Sequence, residues 1–97
     1  MATYIILANF TEQGIRNVKD SPRRADAFRG MAQKAGVTVK EVYWTLGAHD
    51  MVTVAEAPDD MAVTALGLSV GALGNVRTQT LRAFSKEDMT TILGKMV

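Results

Sequence analysis

Residues 42–60 limit the possible folds more than any other stretch of the chain. Val42-Tyr-Trp-Thr-Leu46 and Met51-Val-Thr-Val-Ala55 are apolar runs rich in β-branched and aromatic residues, separated by Gly47-Ala-His-Asp50. Two such runs joined by a few residues containing Gly and Asp predict a β-hairpin. Pro58-Asp-Asp60 then opens a helix, with acidic groups at the positive end of its dipole. A strand, a tight turn, a second strand and a helix must therefore share one small core.

The flanking elements follow from periodicity and capping signals. Thr3 to Phe10 reads as a strand with apolar residues in both parities, as in a strand covered on both faces. Thr11 is an N-cap for a short helix from Glu12 to Val18, interrupted near Gly14. Ser21-Pro22 restarts the helix, with Ser21 as N-cap; Ala25, Phe28, Ala32 and Ala35 form its apolar stripe and Gly36 ends it. Val37 to Leu46 and Met51 to Ala57 are the hairpin strands, Pro58 to about Leu73 a helix, and Asn75 to Ala83 a fourth strand. Ser85 caps a last helix, with Asp88 in the capping-box position and Met89, Ile92, Leu93 and Met96 on its apolar side.

The order β-α-β-β-α-β plus a C-terminal helix predicts an α+β, ferredoxin-like sandwich, with strands one and three central and two and four at the edges. Both crossover helices then cover one sheet face. The helix after Pro58, Met61-Ala-Val-Thr-Ala-Leu-Gly-Leu-Ser-Val-Gly-Ala-Leu73, is apolar almost all the way round. A helix without a polar face is buried on more than one side, which in so small a domain predicts cover from another subunit. By parity, Val42, Trp44, Leu46, Val52 and Val54 are expected on the helix side. The mixed set Ile5, Leu7, Asn9, Tyr43, Thr45, Met51, Thr53 and Ala55 is expected on the other, where it would line a ligand-holding lumen or a subunit contact.

Ninety-seven residues make one domain over 1–97. A hydrophobic share of 47% with 22% charged residues is a globular balance, and a net charge of +1 gives no general attraction to nucleic acid or an anionic membrane. The chain has no cysteine, hence no disulfide and no thiolate chemistry, in keeping with a reducing compartment. The N-terminus has neither a basic n-region nor an apolar run long enough for a signal peptide or membrane span, so cytoplasm is the expected location.

Several stretches also resemble the GYD-domain family: residues 11–22, Tyr43-Trp-Thr-Leu-Gly47, Asp50, Glu56-Ala-Pro-Asp-Asp60 and residues 71–84, occurring in order within a resemblance that extends over nearly the whole chain. The resemblance implies membership of the dimeric α/β-barrel proteins, in which two ferredoxin-like units face each other across their open sheets. The family is named for a Gly-Tyr-Asp motif. Gly47-Ala-His-Asp50 stands at that place here, with His49 where the tyrosine would be.

Candidate chemistry is sparse. His49 beside Asp50 suggests a general base with an orienting carboxylate, against the alternative of a turn in which Asp50 binds backbone. Related barrels include haem proteins, which makes His49 conceivable as an axial ligand, but nothing else in the chain supports a cofactor, and zinc lacks ligands. Asn9, Tyr43, Thr45 and Thr53 are the expected pocket lining, with Trp44 joining them if the parity is reversed. Glu56 is expected to pair with Arg77 or Arg82 of strand four. Arg16, Lys19, Arg23 and Arg24 gather at a helix start, where an anion could bind. Strand three lacks the aromatic and basic residues of RNA-recognition modules. The expected function is small-molecule binding by a homo-oligomer, extending by fold analogy to a cofactor-free oxygenase or isomerase. The alternative is a non-enzymatic assembly or ligand-sensing module whose mixed face is a subunit interface.

Overall fold

The computed structural model describes all 97 residues. β1 (Ala2–Phe10) leads through α1 (Glu12–Arg16) and a 3-10 turn (Val18–Asp20) into α2 (Ser21–Lys34). β2 (Thr38–Trp44), β3 (Met51–Ala57), α3 (Asp60–Ala72), β4 (Val76–Ala83) and α4 (Lys86–Gly94) follow. The strands form one antiparallel sheet in the order β2-β3-β1-β4. This is the α+β, ferredoxin-like arrangement expected from the element order, with α2 and α3 on one face.

The local signals act as read, with three exceptions. Ser85 with Asp88 forms the reciprocal capping box of α4, but α3 begins at Asp60 and not at Pro58, with Asp59 as its N-cap through the Ala62 amide. Ser21, however, does not cap α2. The 3-10 turn runs into the helix with helical backbone at Asp20, which is the N-cap, and Ser21 is the first helical residue. Its hydroxyl instead accepts from the Trp44 indole Nε1 at 2.9 Å. Nor does Gly14 interrupt α1; it lies buried inside it.

The core lies between the sheet and the helices. Tyr4, Ile6, Ala55 and Ala57 meet Ala32, Val37, Val63 and Leu66 there. In an antiparallel pair, directly opposed residues share a face. Ile5 opposes Val54, and Leu7 and Tyr43 both flank Val52, so these side chains lie on the open face. Ile6 and Val42 flank Thr53, and Tyr4 opposes Ala55, on the helix face. The face expected for β1 and β2 is therefore observed, and that of β3 is reversed. Met51, Thr53 and Ala55 look toward the helices; Val52 and Val54 look away. The reason is steric: Ala32, Ala55 and Ala57 are fully buried, and side chains this small let the helices settle close to the sheet. The bulkier valines are left for the other side.

Two polar contacts also differ from simple expectation. Glu56 pairs with Lys40 at 3.1 Å, not with an arginine of β4. β1 separates β3 from β4, whereas β2 lies directly beside β3. Tyr4 Oη donates to Asp60 Oδ1 at 2.5 Å, tying the first part of β1 to the start of α3. That hydrogen bond, followed by desolvation of the phenol, raises the Tyr4 pKa, while the Arg82 guanidinium over the ring opposes the shift. No helix is long and apolar enough to cross a membrane.

Candidate functional site

A cavity of about 160 Å³ lies between the sheet and the two crossover helices. β1 contributes Ile6, Ala8 and Phe10 to its floor, and β3 contributes Met51 and Thr53. Ala25, Phe28 and Met31 of α2 form one wall; Val70 and Leu73, from the end of α3 and just beyond, form another. The space exists because Ala8, Ala25 and Ala27 stand where larger side chains would otherwise meet across the layer.

The polar groups on this apolar lining are few: Ser21, Arg24, Thr53, Asn75 and Thr78. Ser21 is occupied by the Trp44 indole. Arg24 donates from Nη1 to the Asn17 carbonyl at 2.8 Å and from Nη2 to the Gly14 carbonyl at 3.2 Å. Asn75 Oδ1 accepts from Gln13 Nε2 at 2.9 Å, which leaves its amide NH₂ available. No Asp, Glu, His, Lys, Tyr or Cys lines the space.

One end of the cavity is closed by a junction of α1 with the α3–β4 loop. The Thr11 amide donates to the Asn75 carbonyl at 3.1 Å, and its hydroxyl to the Gly74 carbonyl at 2.5 Å. Gln13 donates to the Leu73 carbonyl as well as to Asn75. Glycine at 14 permits this contact, since a Cβ there would lie 1.9 Å from the Asn75 carbonyl oxygen. Gly74 makes the turn with φ of 83°, a conformation that favours glycine.

The turn between β2 and β3 forms a separate constellation. Asp50 and His49 are not joined. The Asp50 carboxylate accepts from the Phe10 amide at 2.9 Å, and its own amide donates to the Ala8 carbonyl. His49 Nδ1 meets Asn9 Oδ1 at 2.9 Å, and Thr45 donates to the His49 carbonyl. Asn9 Nδ2 donates to the Ala48 carbonyl at 2.7 Å, so its Oδ1 faces the imidazole and Nδ1 carries the proton. Nδ1 of the imidazole is thereby committed to Asn9.

Of the residues expected from sequence as pocket lining, Thr53 alone lines the cavity. Asn9 and Tyr43 lie on the open face, Thr45 belongs to the turn, and Trp44 reaches back to α2 without entering the cavity lining. Arg16 is paired with Glu12 and Arg23 with Asp20; Lys19 is exposed on the 3-10 turn. Of that basic group Arg24 reaches the cavity. Sequence reasoning missed Asn75 and Thr78. Thr78 lies at the parity of Val76 on β4, a usable signal, whereas Asn75 depends on a contact about 60 residues away in sequence that no local pattern announces.

No three His, Asp or Glu side chains gather where they could hold a metal ion. No curated protein matches the sequence. Among solved structures, the crystal structure of TTHA0845 from Thermus thermophilus is similar, with a TM-score of 0.57 and 24% identity over 88% of this chain and 95% of that one. At that identity the likeness speaks for the fold alone. The family model of the GYD domain matches residues 4–93, and the chain belongs to the GYD-domain family.

Proposed function

We propose that this protein binds a small organic molecule in the cavity between its sheet and its crossover helices, and that it does so as a homodimer formed through the open sheet faces. The cavity carries the first part of this reading. An apolar chamber with a few convergent polar groups is the usual form of a small-ligand site. The reading is one of binding and not turnover, because the lining offers no general acid or base of the kind an isomerase or cofactor-free oxygenase would need.

The surface supports the second part. The chain exposes 6644 Å², against about 5,400 Å² for a compact monomer of its mass. The excess of about 1,200 Å² is more than the roughly 800 Å² that each partner contributes to an ordinary stable interface. Ile5, Leu7, Val52 and Val54 form an apolar patch on the open face, and Tyr43 and Leu81 are exposed beside it. Patches of this kind mark association surfaces. The outward side of α3, with Met61 and Leu68 in solvent, and α4, which buries no residue, add to the uncovered area.

The test is a titration of ¹⁵N-labelled protein with neutral single-ring compounds, alongside native mass spectrometry. Shifts confined to Phe28, Thr53 and Thr78 in a dimer are the expected result, with Ala25→Leu abolishing them while the dimer persists. Shifts spread over the open face instead, or a protein that stays monomeric at micromolar concentration, would refute the corresponding part.

A further inference from the structure

Resting on the reading of this cavity as a ligand chamber, we infer that it takes a small organic anion, a single ring bearing one carboxylate, with Arg24 as the group that recognises the charge. Arg24 is the one charged residue of the lining, and no carboxylate accompanies it there. It also has no carboxylate partner elsewhere: the ion pairs of the chain join Arg16 to Glu12, Arg23 to Asp20 and Lys40 to Glu56.

The guanidinium is nevertheless fixed in place. The carbonyls of Asn17 and Gly14 take one hydrogen bond from each terminal nitrogen. An arginine has five N–H donors, so these contacts set its orientation and leave three donors and the charge of this half-exposed side chain open to a ligand. Two carbonyl dipoles do not neutralise a cation. A bound carboxylate would do so, and would accept charge-assisted hydrogen bonds in return.

The neighbours suit an acceptor and not a donor. The Asn75 amide NH₂ is free because its oxygen is committed to Gln13, and the Thr78 hydroxyl lines the same chamber. Elsewhere in the lining, Phe28, Met31 and Met51 offer only apolar surface. Size restricts the rest of the ligand, since a cavity of about 150 Å³ holds benzene and this one measures about 160 Å³. One positive charge matches a carboxylate monoanion. A phosphate dianion would exceed the single positive charge that the lining supplies.

Benzoate and benzamide form the test pair, equal in ring and nearly equal in shape but different in charge. Binding is followed at the amides of Phe28, Thr53 and Thr78 in the full chain and in Arg24→Gln. Benzoate should bind about tenfold or more tightly than benzamide in the unaltered protein, the factor expected of a charge-assisted pair. In Arg24→Gln that ratio should fall to within about twofold, with benzamide affinity kept. Equal binding of both compounds to the unaltered protein would overturn the assignment of charge and leave the chamber standing. Absence of binding by either would overturn the chamber as well. The ratio in the unaltered protein decides the charge preference even if Arg24→Gln proves unstable, and Arg24→Lys, which should keep a preference for benzoate but weaken it, then tests the residue. Selectivity that survives in a folded Arg24→Gln would move the recognition away from Arg24 and also overturn the inference.

Discussion

Glycines at 14 and 30 both lie inside helices, yet alanine should act in opposite directions at the two. At Gly30 an added Cβ meets nothing within 4 Å, so the substitution gains helix propensity at no steric cost. It should stabilise the protein by about 0.5–1 kcal/mol. At Gly14 the Cβ would lie 1.9 Å from the Asn75 carbonyl oxygen and 2.9 Å from its carbon, where ordinary contact begins near 3.4 Å. The obstacle is backbone, so relief requires α1 and the α3–β4 loop to separate by about 1.5 Å. That movement lengthens the 3.1 Å bond from the Thr11 amide to Asn75 beyond hydrogen-bonding range and also breaks the contacts of Thr11 with Gly74 and of Gln13 with Leu73 and Asn75. Four bonds at about 0.5–1.5 kcal/mol each, partly replaced by water, give a loss of about 2–4 kcal/mol. For a domain of this size each kcal/mol moves the melting temperature by about 4–8 °C. Urea unfolding followed by circular dichroism measures both variants. A Gly14→Ala protein within about 0.5 kcal/mol of the parent would refute the reasoning, since the junction that closes the cavity would then be soft.

Three further outcomes test the structure at other points. The raised Tyr4 pKa means that its contribution to stability is complete below the unfolded phenol's value near 10 and declines as pH rises through the higher folded value; Tyr4→Phe should remove this alkaline decline relative to the parent in unfolding measured at stepped pH. Ser21→Ala deprives the Trp44 indole of its partner; it should cost about 0.5–1.5 kcal/mol and shift the emission of the protein's one tryptophan, whereas unchanged fluorescence would refute the contact. Asn9→Ala should release His49 from its Nδ1–H tautomer, which ¹⁵N spectra of the imidazole detect directly, and a tautomer ratio equal to that of the parent would show that Asn9 does not set it.

Much of the fold is legible in the sequence because capping, turn and periodicity signals agree with one another. Thr11 and Ser85 cap the helices they precede, and the hairpin turns where Gly47 and Asp50 predict. The face of β3 is not legible. Met51-Val-Thr-Val-Ala-Glu-Ala alternates between two sets that hydrophobicity ranks one way and packing the other. The valines are the more apolar, but a close helix layer accepts the alanines. This also explains why Thr53 lines the cavity although its face is the reverse of the expected one: parity places it on a lumen between subunits, and it lies under the helices instead. The remaining cavity groups depend on tertiary proximity. Arg24 differs from Arg16 and Arg23 only because Glu12 and Asp20 take the other two, a distinction that needs the folded chain.

The end of β1 joins the two constellations of this protein. Successive residues of a strand point to opposite faces, so Asn9 looks to the open face, where it holds His49, while Phe10 looks into the cavity. The Asp50 carboxylate accepts from the Phe10 amide, and its amide donates to the Ala8 carbonyl, on both sides of Asn9. The aspartate of the motif that names the family thus acts here on the backbone of β1, fixing the floor of the cavity and the seat of His49 together. That role depends on the carboxylate and the chain direction, not on the ring of His49. The cavity and the open face are opposite sides of one strand, pinned at a single residue.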